Sequence, residues 1–199
     1  MPLYKTLKPF ILASASPRRQ EMLRSLGLDF QVRAAEVDEC LLAEESPEKY
    51  VQRVAGEKAK AIAVTVPEVW VIAADTAVVI ADEVLGKPSD SSAALAMLKQ
   101  LSGKRHRVLS GFCISCFQQN RSVQQISETE VWFNDLSDDI LAAYVKTGDP
   151  LDKAGAYGIQ SFGGVLVKEI FGSYSNVVGL PLAEITNEML RLGIIGPGS

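Results

Sequence analysis

The stretch Val69-Trp-Val-Ile-Ala-Ala-Asp75-Thr76-Ala-Val-Val-Ile-Ala81 places one carboxylate between two apolar runs. Both runs have the composition of a buried strand. Because burying an unpaired carboxylate is very costly, we expect Asp75 to be paired, to bind a metal or to face a wet cleft. A carboxylate in this position suits a general base or a Mg²⁺ ligand. The alternative is an Asp at a strand bulge that caps nearby backbone groups.

Before this strand, a predicted helix carries a lysine inside its apolar stripe. Ser46-Pro47 is typical of an N-cap followed by proline at the first helical position. Residues with helical spacing form the apolar stripe: Tyr50, Val51, Val54, Ala55 and Ile62. Lys58 falls four residues from both Val54 and Ile62. It therefore either lines a cleft with an anionic guest or extends its ammonium to the rim.

Nearer the N-terminus, Ser14-Ala-Ser16-Pro-Arg18-Arg19 follows a predicted strand, Phe10–Ala13, and opens a helix that ends at Gly27. Two arginines in a first helical turn oppose the helix dipole and are mildly destabilising. The free amides of the same turn, with two hydroxyls and two guanidiniums, could hold a phosphate from several sides. The alternative is a surface helix whose arginines point into water.

The rest of the chain alternates strands and helices. The other predicted strands are Phe30–Arg33, Arg107–Phe117, Val123–Phe133 and Val165–Ile170. The other predicted helices run from about Ser91 to Leu101, from Ser137 to Gly148 and from Pro181 to about Leu192. We expect a flexible tail at Gly196–Ser199. The pattern indicates an α/β fold with a mixed sheet, in one domain over residues 1–199 that has two lobes around a cleft.

Composition excludes several classes of function. The 199 residues include 20 Lys and Arg, 24 Asp and Glu and a single histidine, His106, which gives a net charge of −4. One histidine cannot build a zinc site with two or three His ligands. An acidic chain is a poor candidate for nucleic-acid binding, in which phosphate neutralisation dominates the affinity. No apolar run is long enough for a membrane span and no signal peptide is visible, so we expect a cytoplasmic protein.

Three cysteines, Cys40, Cys113 and Cys116, raise the question of a metal or redox pair. A zinc ribbon needs a second Cys pair, and a redox pair normally opens a helix. The segment around Cys113 and Cys116 is typical of a strand, where residues three apart point to opposite faces. We interpret these cysteines as small strand residues.

Two further segments carry polar groups suited to a ligand. Gly86-Lys87-Pro88 follows the central strand, and Asp149–Gln160 combines carboxylates, a cation, glycines and a terminal amide. The Gln160 amide could pair with a base edge, although the segment could also be an ordinary turn. The candidate cations are Arg18, Arg19, Lys58, Lys87 and Lys153. The candidate metal-binding carboxylates are Asp75 with Glu36, Asp38 or Glu39, of which we assign Asp75 and Glu36. This combination favours a small polyphosphate ligand over a polymer.

The motifs, taken in order, resemble a known family. They are Ser-Ala-Ser-Pro-Arg-Arg (14–19), Gly-Glu-Lys-Ala (56–59), Ala-Asp-Thr (74–76), Gly-Lys-Pro (86–88), Asp-Lys-Ala-Gly-Ala-Tyr-Gly-Ile-Gln (152–160) and Asn-Val-Val-Gly-Leu-Pro (176–181). The chain resembles the Maf-type (septum-formation inhibitor) nucleoside triphosphate pyrophosphatases over about Phe10 to Leu192. The first and fifth motifs together are highly specific.

The resemblance implies a fold, a reaction and roles for single residues. The fold would be an elongated mixed sheet flanked by helices with a central cleft, similar to the inosine triphosphate pyrophosphatases. The reaction would convert a nucleoside triphosphate to its monophosphate and pyrophosphate with Mg²⁺ or Mn²⁺. Asp75 matches the family's proton acceptor, and Arg18, Thr76 and Gln160 match positions linked to substrate choice. Ser14, Ser16, Arg18, Arg19, Lys58, Lys87 and Lys153 would contact the phosphates.

The form of the segment 152–160 is similar to that of the subgroup acting on dTTP and UTP, which implies pyrimidine triphosphates, including modified ones. Related enzymes are often dimers, so the resemblance also implies a homodimer. Two hypotheses compete with catalysis. One is a nucleotide sensor that regulates cell division through a protein partner without turnover. The other is a nucleic-acid-binding module, which the charge balance disfavours.

Overall fold

The computed structural model describes residues 2–198, within which the chain forms nine strands and six α-helices. The strands are β1 (Tyr4–Thr6), β2 (Phe10–Leu12), β3 (Gln31–Val32), β4 (Trp70–Ile80), β5 (Glu83–Leu85), β6 (Arg105–Cys116), β7 (Arg121–Phe133), β8 (Val167–Phe171) and β9 (Ile195–Pro197). The α-helices are α1 (Pro17–Ser25), α2 (Pro47–Ala63), α3 (Ser91–Leu101), α4 (Asp138–Lys146), α5 (Tyr174–Val178) and α6 (Leu182–Arg191). Short 3₁₀ helices cover Asp149–Asp152, Ala154–Ala156 and Phe162–Leu166.

Seven strands form one sheet in the order β3-β2-β4-β6-β7-β8, with β5 paired to β4. Strand β2 is parallel to both β3 and β4, whereas β5 is antiparallel to β4 and β8 is antiparallel to β7. The sheet is therefore mixed, and the predicted α/β class is confirmed. The central strand β4 lies within one residue of the predicted stretch at both ends.

Side-chain caps fix the starts of two helices, α2 and α3. The Ser46 hydroxyl accepts a hydrogen bond from the amide of Lys49 at 3.3 Å, so it caps α2 as expected. Asp90 caps α3 by accepting from the amide of Ala93 at 2.8 Å. Ser16 occupies the N-cap position of α1, but its side chain makes no capping bond. The first turn of α1 thus begins without the usual side-chain acceptor.

The prediction of a flexible tail at Gly196–Ser199 is wrong for Gly196 and Pro197, which lie in a strand. Residues Ile195–Pro197 form β9, which pairs antiparallel with β1. Gly196 lies opposite Lys5, and the amide of Gly198 donates to the carbonyl of Leu3 at 3.0 Å. Gly196 and Pro197 are therefore part of a small two-stranded sheet. Ser199 falls outside the described residues.

The described chain separates into two compact units. Unit 1 comprises residues up to Asp75, Ser110–Ser127 and residues from Gly179 on; unit 2 comprises Thr76–Leu109 and Glu128–Val178. The chain thus passes from unit 1 to unit 2 within β4, directly after Asp75. The predicted cleft between two lobes stays a prediction.

Each unit has its own buried cluster. In unit 1, small side chains on α2, including Ala55 and Ala59, pack against Val71, Ala73 and Cys113 of the sheet. In unit 2, helices α3 and α4 contribute to a larger cluster that also contains Phe133 and Tyr157. No helix within residues 2–198 combines the length and the apolar character needed to cross a bilayer.

Candidate active site

Asp75 and Lys58 form a buried ion pair in unit 1. The Lys58 ammonium donates to Asp75 Oδ1 at 2.8 Å, and the two residues are only 8% and 6% exposed. Lys58 reaches the carboxylate from α2, whose small side chains allow the helix to lie close to the sheet. Of the three expected surroundings of Asp75, a charged partner, a metal or a wet cleft, the structure shows the charged partner. Lys58 does not extend to the rim, because its ammonium is held inside by this pair.

A second carboxylate binds the same ammonium. Glu39 Oε1 lies 2.7 Å from Lys58 Nζ. Glu39 is therefore the acidic residue of this segment that shares the ammonium with Asp75; its side chain is 48% exposed, and Glu36 is exposed as well. Asp38 instead turns its carboxylate to the amide of Cys40 at 2.9 Å, and this bond lowers its pKa. One ammonium thus lies between two carboxylates, which leaves one negative charge in excess.

Two side chains of α2 hold the segment that carries Glu39. The Tyr50 hydroxyl donates to the carbonyl of Glu39 at 3.0 Å. Arg53 donates to the carbonyl of Cys40 at 2.9 Å and forms a two-armed ion pair with Glu45. Burial, with the negative charges of Asp75 and Glu39, raises the pKa of Tyr50 to about 12. Tyr50 is therefore a neutral hydrogen-bond donor at physiological pH.

Arg19 fastens α1 to the strand that bears Asp75. Its guanidinium donates to the carbonyl of Ala74 at 2.7 Å, to the Ser14 hydroxyl at 3.3 Å and to the carbonyl of Gly179 at 2.8 Å. Burial lowers the pKa of Arg19, and the nearby charge of Asp75 opposes that effect. Since at least three of the five N–H groups bind protein oxygens, Arg19 positions the start of α1 beside Asp75. It also places a positive charge close to the carboxylate.

The remaining residues predicted near α1 have different surroundings. Ser14 is buried, and its hydroxyl accepts from both Arg19 and the amide of Ser16 at 3.2 Å. Ser16 and Arg18 are half-buried at the start of the helix. The first turn of α1 contains no acidic side chain, which would compete with an anion for the amides. The predicted phosphate site at this turn stays a prediction.

In unit 2, Lys153 is occupied by its own loop. Its ammonium donates to the Asp149 carbonyl at 2.6 Å, to Asp149 Oδ1 at 3.0 Å and to Asp152 Oδ1 at 2.7 Å. A Cβ at Gly158 would lie 2.6 Å from Lys153 Cε, so the lysine side chain passes through the space that a side chain at position 158 would take. Lys153 therefore fixes the shape of this loop, and its predicted phosphate contact would require part of that network to open.

The other predicted site residues of unit 2 are Thr76, Lys87 and Gln160. Thr76 is half-buried and follows Asp75 directly in β4. Lys87 and Gln160 are exposed, which leaves their polar groups accessible to a ligand. Their predicted contacts with a triphosphate and a base stay predictions.

A buried aromatic group that the sequence analysis did not identify supports the 152–160 segment. His106 Nε2 lies 2.9 Å from the Tyr157 hydroxyl, and both rings pack edge-on against Phe133 at centroid distances of 4.9 and 4.7 Å. Burial lowers the pKa of His106 to about 4, so the imidazole is neutral in the fold. The available signal was the chain's single histidine, which lies between two arginines directly before the predicted strand Arg107–Phe117, but its partner could not be read from the sequence.

The carboxylates of unit 1 suit a hard cation that takes its other ligands from outside the protein. Within residues 2–198, no group of three or more His, Cys, Asp or Glu side chains is placed to hold a metal alone. Asp75 and Glu39 nevertheless both contact one cationic nitrogen at 2.7–2.8 Å. Mg²⁺ is typically bound by one or two protein carboxylates together with phosphate oxygens and water. The donor set therefore fits a divalent cation whose remaining ligands are phosphate oxygens and water.

Comparisons with known proteins give one family and many relatives. The family model described as Maf-like protein matches residues 9–192. A dTTP/UTP pyrophosphatase of Desulfotalea psychrophila is 50% identical over 97% of this chain and 99% of its own length. Proteins of the same name from Anaeromyxobacter dehalogenans and a Geobacillus strain are 52% and 46% identical, over 92% and 94% of this chain and 93% and 100% of their own.

Among solved structures, the Ham1 protein of Staphylococcus aureus is similar, with a TM-score of 0.47 and 15% identity. The match covers 64% of this chain and 73% of the Ham1 chain.

Proposed function

The chain belongs to the family of Maf-like proteins, and on this premise we propose that it hydrolyses dTTP, UTP and modified pyrimidine triphosphates to the monophosphate and pyrophosphate. Relatives at 46–52% identity carry the name dTTP/UTP pyrophosphatase over at least 92% of this chain. The observation that carries the proposal is the contact of the buried pair Asp75 and Lys58 with the exposed Glu39, with Arg19 bound to the carbonyl before Asp75. Asp75 offers a proton acceptor, and the cations of Lys58 and Arg19 beside it would offset part of the charge of an anionic substrate.

Asp75 is the proposed general base. One of its oxygens is held by Lys58 at 2.8 Å, so the side chain has a defined orientation. The carboxylate would accept a proton from the water that attacks the α-phosphorus. The bond from water oxygen to phosphorus forms as the bond to the bridging oxygen breaks, and the electron pair leaves with pyrophosphate. The Lys58 ammonium would offset the charge of the cluster while the proton moves.

A divalent metal, Mg²⁺ or Mn²⁺, is the proposed cofactor. Asp75 and Glu39 would hold it, and when bound it would neutralise phosphate charge and activate water. Glu39 depends on Tyr50 and Arg53 for its position. These two residues would therefore act on the site indirectly, by keeping the second carboxylate in place.

Accessible cations would bind the triphosphate. Arg18, which is half-buried, and Lys87, which is exposed, are the candidates for direct contact, together with Ser16 and the amides at the start of α1. Arg19 and Ser14 would act by positioning that helix start, since their polar groups already bind each other. These charges would stabilise the developing negative charge on the leaving pyrophosphate.

Thr76 and Gln160 would select the base, and Arg18 would contribute to substrate choice from the start of α1. A site built to hydrogen-bond one base edge disfavours another base because buried polar groups are left unpaired. The proposed substrates are nucleotides of the general pool, so the proposed location is the cytoplasm. The proposed assembly is a homodimer, and small-molecule triphosphates rather than nucleic acids are the proposed ligands.

The decisive experiment identifies products. The full chain is incubated with each canonical nucleoside triphosphate and Mg²⁺ or Mn²⁺ in H₂¹⁸O, and the products are analysed by mass spectrometry. We expect pyrophosphate in equal amounts with dTMP or UMP, and ¹⁸O in the monophosphate, because water attacks the α-phosphorus. Binding of dTTP without turnover would instead support the nucleotide-sensing regulator of cell division and overturn the enzymatic proposal. Tight, salt-sensitive oligonucleotide binding without turnover would favour the nucleic-acid module.

A further inference from the structure

Unit 1 contains a pocket on a face of α2 that the proposed active site does not use. Its volume is about 420 Å³, and it lies between α2 and the β6–β7 hairpin. Gly56, Glu57 and Lys60 line it from the helix. Lys58, by contrast, is buried against Asp75 and does not line the pocket. A pocket of this volume is in the range of sites for small molecules.

The charge of this pocket is positive, although the chain is acidic overall. Its charged lining consists of Arg53, Lys60 and Arg121 against Glu57 alone, whereas the whole chain carries −4. Arg53 is neutralised by Glu45 and Glu57. Lys60 and Arg121 are exposed and take part in no ion pair within residues 2–198. Two cations are thus available at the rim to an anion.

The hairpin side of the pocket offers an aromatic face and two carboxamides. Phe117 is 59% exposed at the tip of the hairpin, close in sequence to Asn120. Gln124 lies against Gly56, where a Cβ would come within 2.8 Å of the Gln124 amide nitrogen. Glycine inside a helix costs about 1 kcal/mol relative to alanine, and here its absent side chain leaves room for that amide. Carboxamides can both donate to and accept from a heterocyclic base.

We infer that this pocket is a second ligand site, which binds an organic phosphate with a planar heterocyclic ring, such as a nucleoside monophosphate. Lys60 and Arg121 bind the phosphate, Phe117 stacks on the ring, and Asn120 and Gln124 hydrogen-bond its edge. The site is separate from the proposed catalytic cluster. Its wall residue Arg53 also holds the Cys40 carbonyl beside Glu39, so an occupant would contact a residue that supports the cluster.

The test uses the full ¹⁵N-labelled chain titrated with UMP, uridine and inorganic phosphate, followed by amide chemical shifts. We expect UMP to shift the amides of residues 118–124 and those near Gly56. Apparent affinity for these amides should be about tenfold or more higher for UMP than for uridine or phosphate, because only UMP uses both ring and charge. The double variant Lys60→Glu/Arg121→Glu should lose the hairpin shifts and keep its rate of pyrophosphate release from dTTP without added UMP.

A matched control is Lys5→Glu/Lys104→Glu, which changes the net charge equally at exposed positions outside the pocket; it should bind UMP at the hairpin like the wild type. Hairpin amides that do not respond to UMP would overturn the inference. So would hairpin shifts that survive charge reversal at Lys60 and Arg121. Equal affinity for phosphate and UMP would overturn the role of the ring. The readout is independent of turnover, so this inference and the proposed enzymatic function fail separately.

Discussion

Lys58 is held between two carboxylates in a buried setting. Its ammonium lies 2.8 Å from Asp75 and 2.7 Å from Glu39. Within a protein such an arrangement is sensitive to the loss of one partner, because the remaining charges are left uncompensated. The pair is therefore better suited to hold the orientation of Asp75 than to add stability.

The variant Lys58→Met should unfold more easily by about 3 kcal/mol, since it leaves Asp75 and Glu39 without their shared cation. The double variant Lys58→Met/Asp75→Leu should recover part of this loss, because no charge is then buried at Asp75. Urea unfolding of wild type, both single variants and the double variant gives the interaction energy. Lys60→Met, two residues along α2 and exposed, is the control and should change stability by less than about 0.5 kcal/mol. A fully stable Lys58→Met protein would show that the ion pair does not organise the cluster.

His106 gives a pH-dependent prediction. Burial lowers its pKa from 6.5 to about 4, so between these values the unfolded chain binds the proton that the folded chain excludes. The stabilising contribution is complete above pH 6.5 and is lost as the pH falls towards 4, by up to about 3 kcal/mol. His106→Phe removes this titration. The free energy of unfolding of the wild type minus that of the variant should therefore fall by up to about 3 kcal/mol as the pH is lowered from 6.5 to 4. A difference that stays constant over this range would contradict a neutral buried His106.

At the scale of elements, the contact between α2 and β6 depends on one glycine. Gly111 of β6 lies against the backbone of Val51 in α2, and a Cβ at Gly111 would overlap the Val51 carbonyl. Ala55 and Ala59 keep the same interface thin. The close approach carries Lys58 from α2 to Asp75 on β4. Small residues at this interface thus determine whether the ion pair can form.

Gly111→Ala should destabilise the protein by about 2–3 kcal/mol, because backbone atoms of α2 cannot move aside as a side chain could. Thermal unfolding followed by circular dichroism measures the effect. Gly86→Ala is the matched control, since a Cβ there meets no atom within 4 Å and its φ is not positive. Equal melting temperatures for the Gly111 and Gly86 variants would contradict the proposed contact.

Elements with strong local signals could be predicted from the sequence. Ser46-Pro47 marked α2, and the paired apolar runs marked β4 to within one residue. Strand β9 was missed because Gly196 and Pro197 are poor strand formers, and the strand exists only through its pairing with β1. Such a long-range pairing leaves no local trace. Without that pairing, residues 196–199 have the composition of a flexible tail.

At the scale of the whole molecule, the sequence indicated site residues where a charged side chain stood among apolar ones. Asp75 in an apolar strand and Lys58 in an apolar stripe were both conspicuous, and the structure joins them. The assignment of Glu36 among Glu36, Asp38 and Glu39 had no local signal behind it, because the segment between β3 and α2 has no periodicity, and it is Glu39 that contacts Lys58. Lys153 looked like a free cation, but its loop folds back on it.

The central claim is that Asp75 is the base that activates water for attack on a pyrimidine triphosphate. The most direct measurement compares steady-state pyrophosphate release from dTTP and UTP by wild type and Asp75→Asn. Asparagine keeps an oxygen for Lys58 but accepts no proton, so kcat should fall by about 10²–10⁴-fold with the fold intact by circular dichroism. A folded Asp75→Asn protein that releases pyrophosphate at the wild-type rate would contradict the assignment.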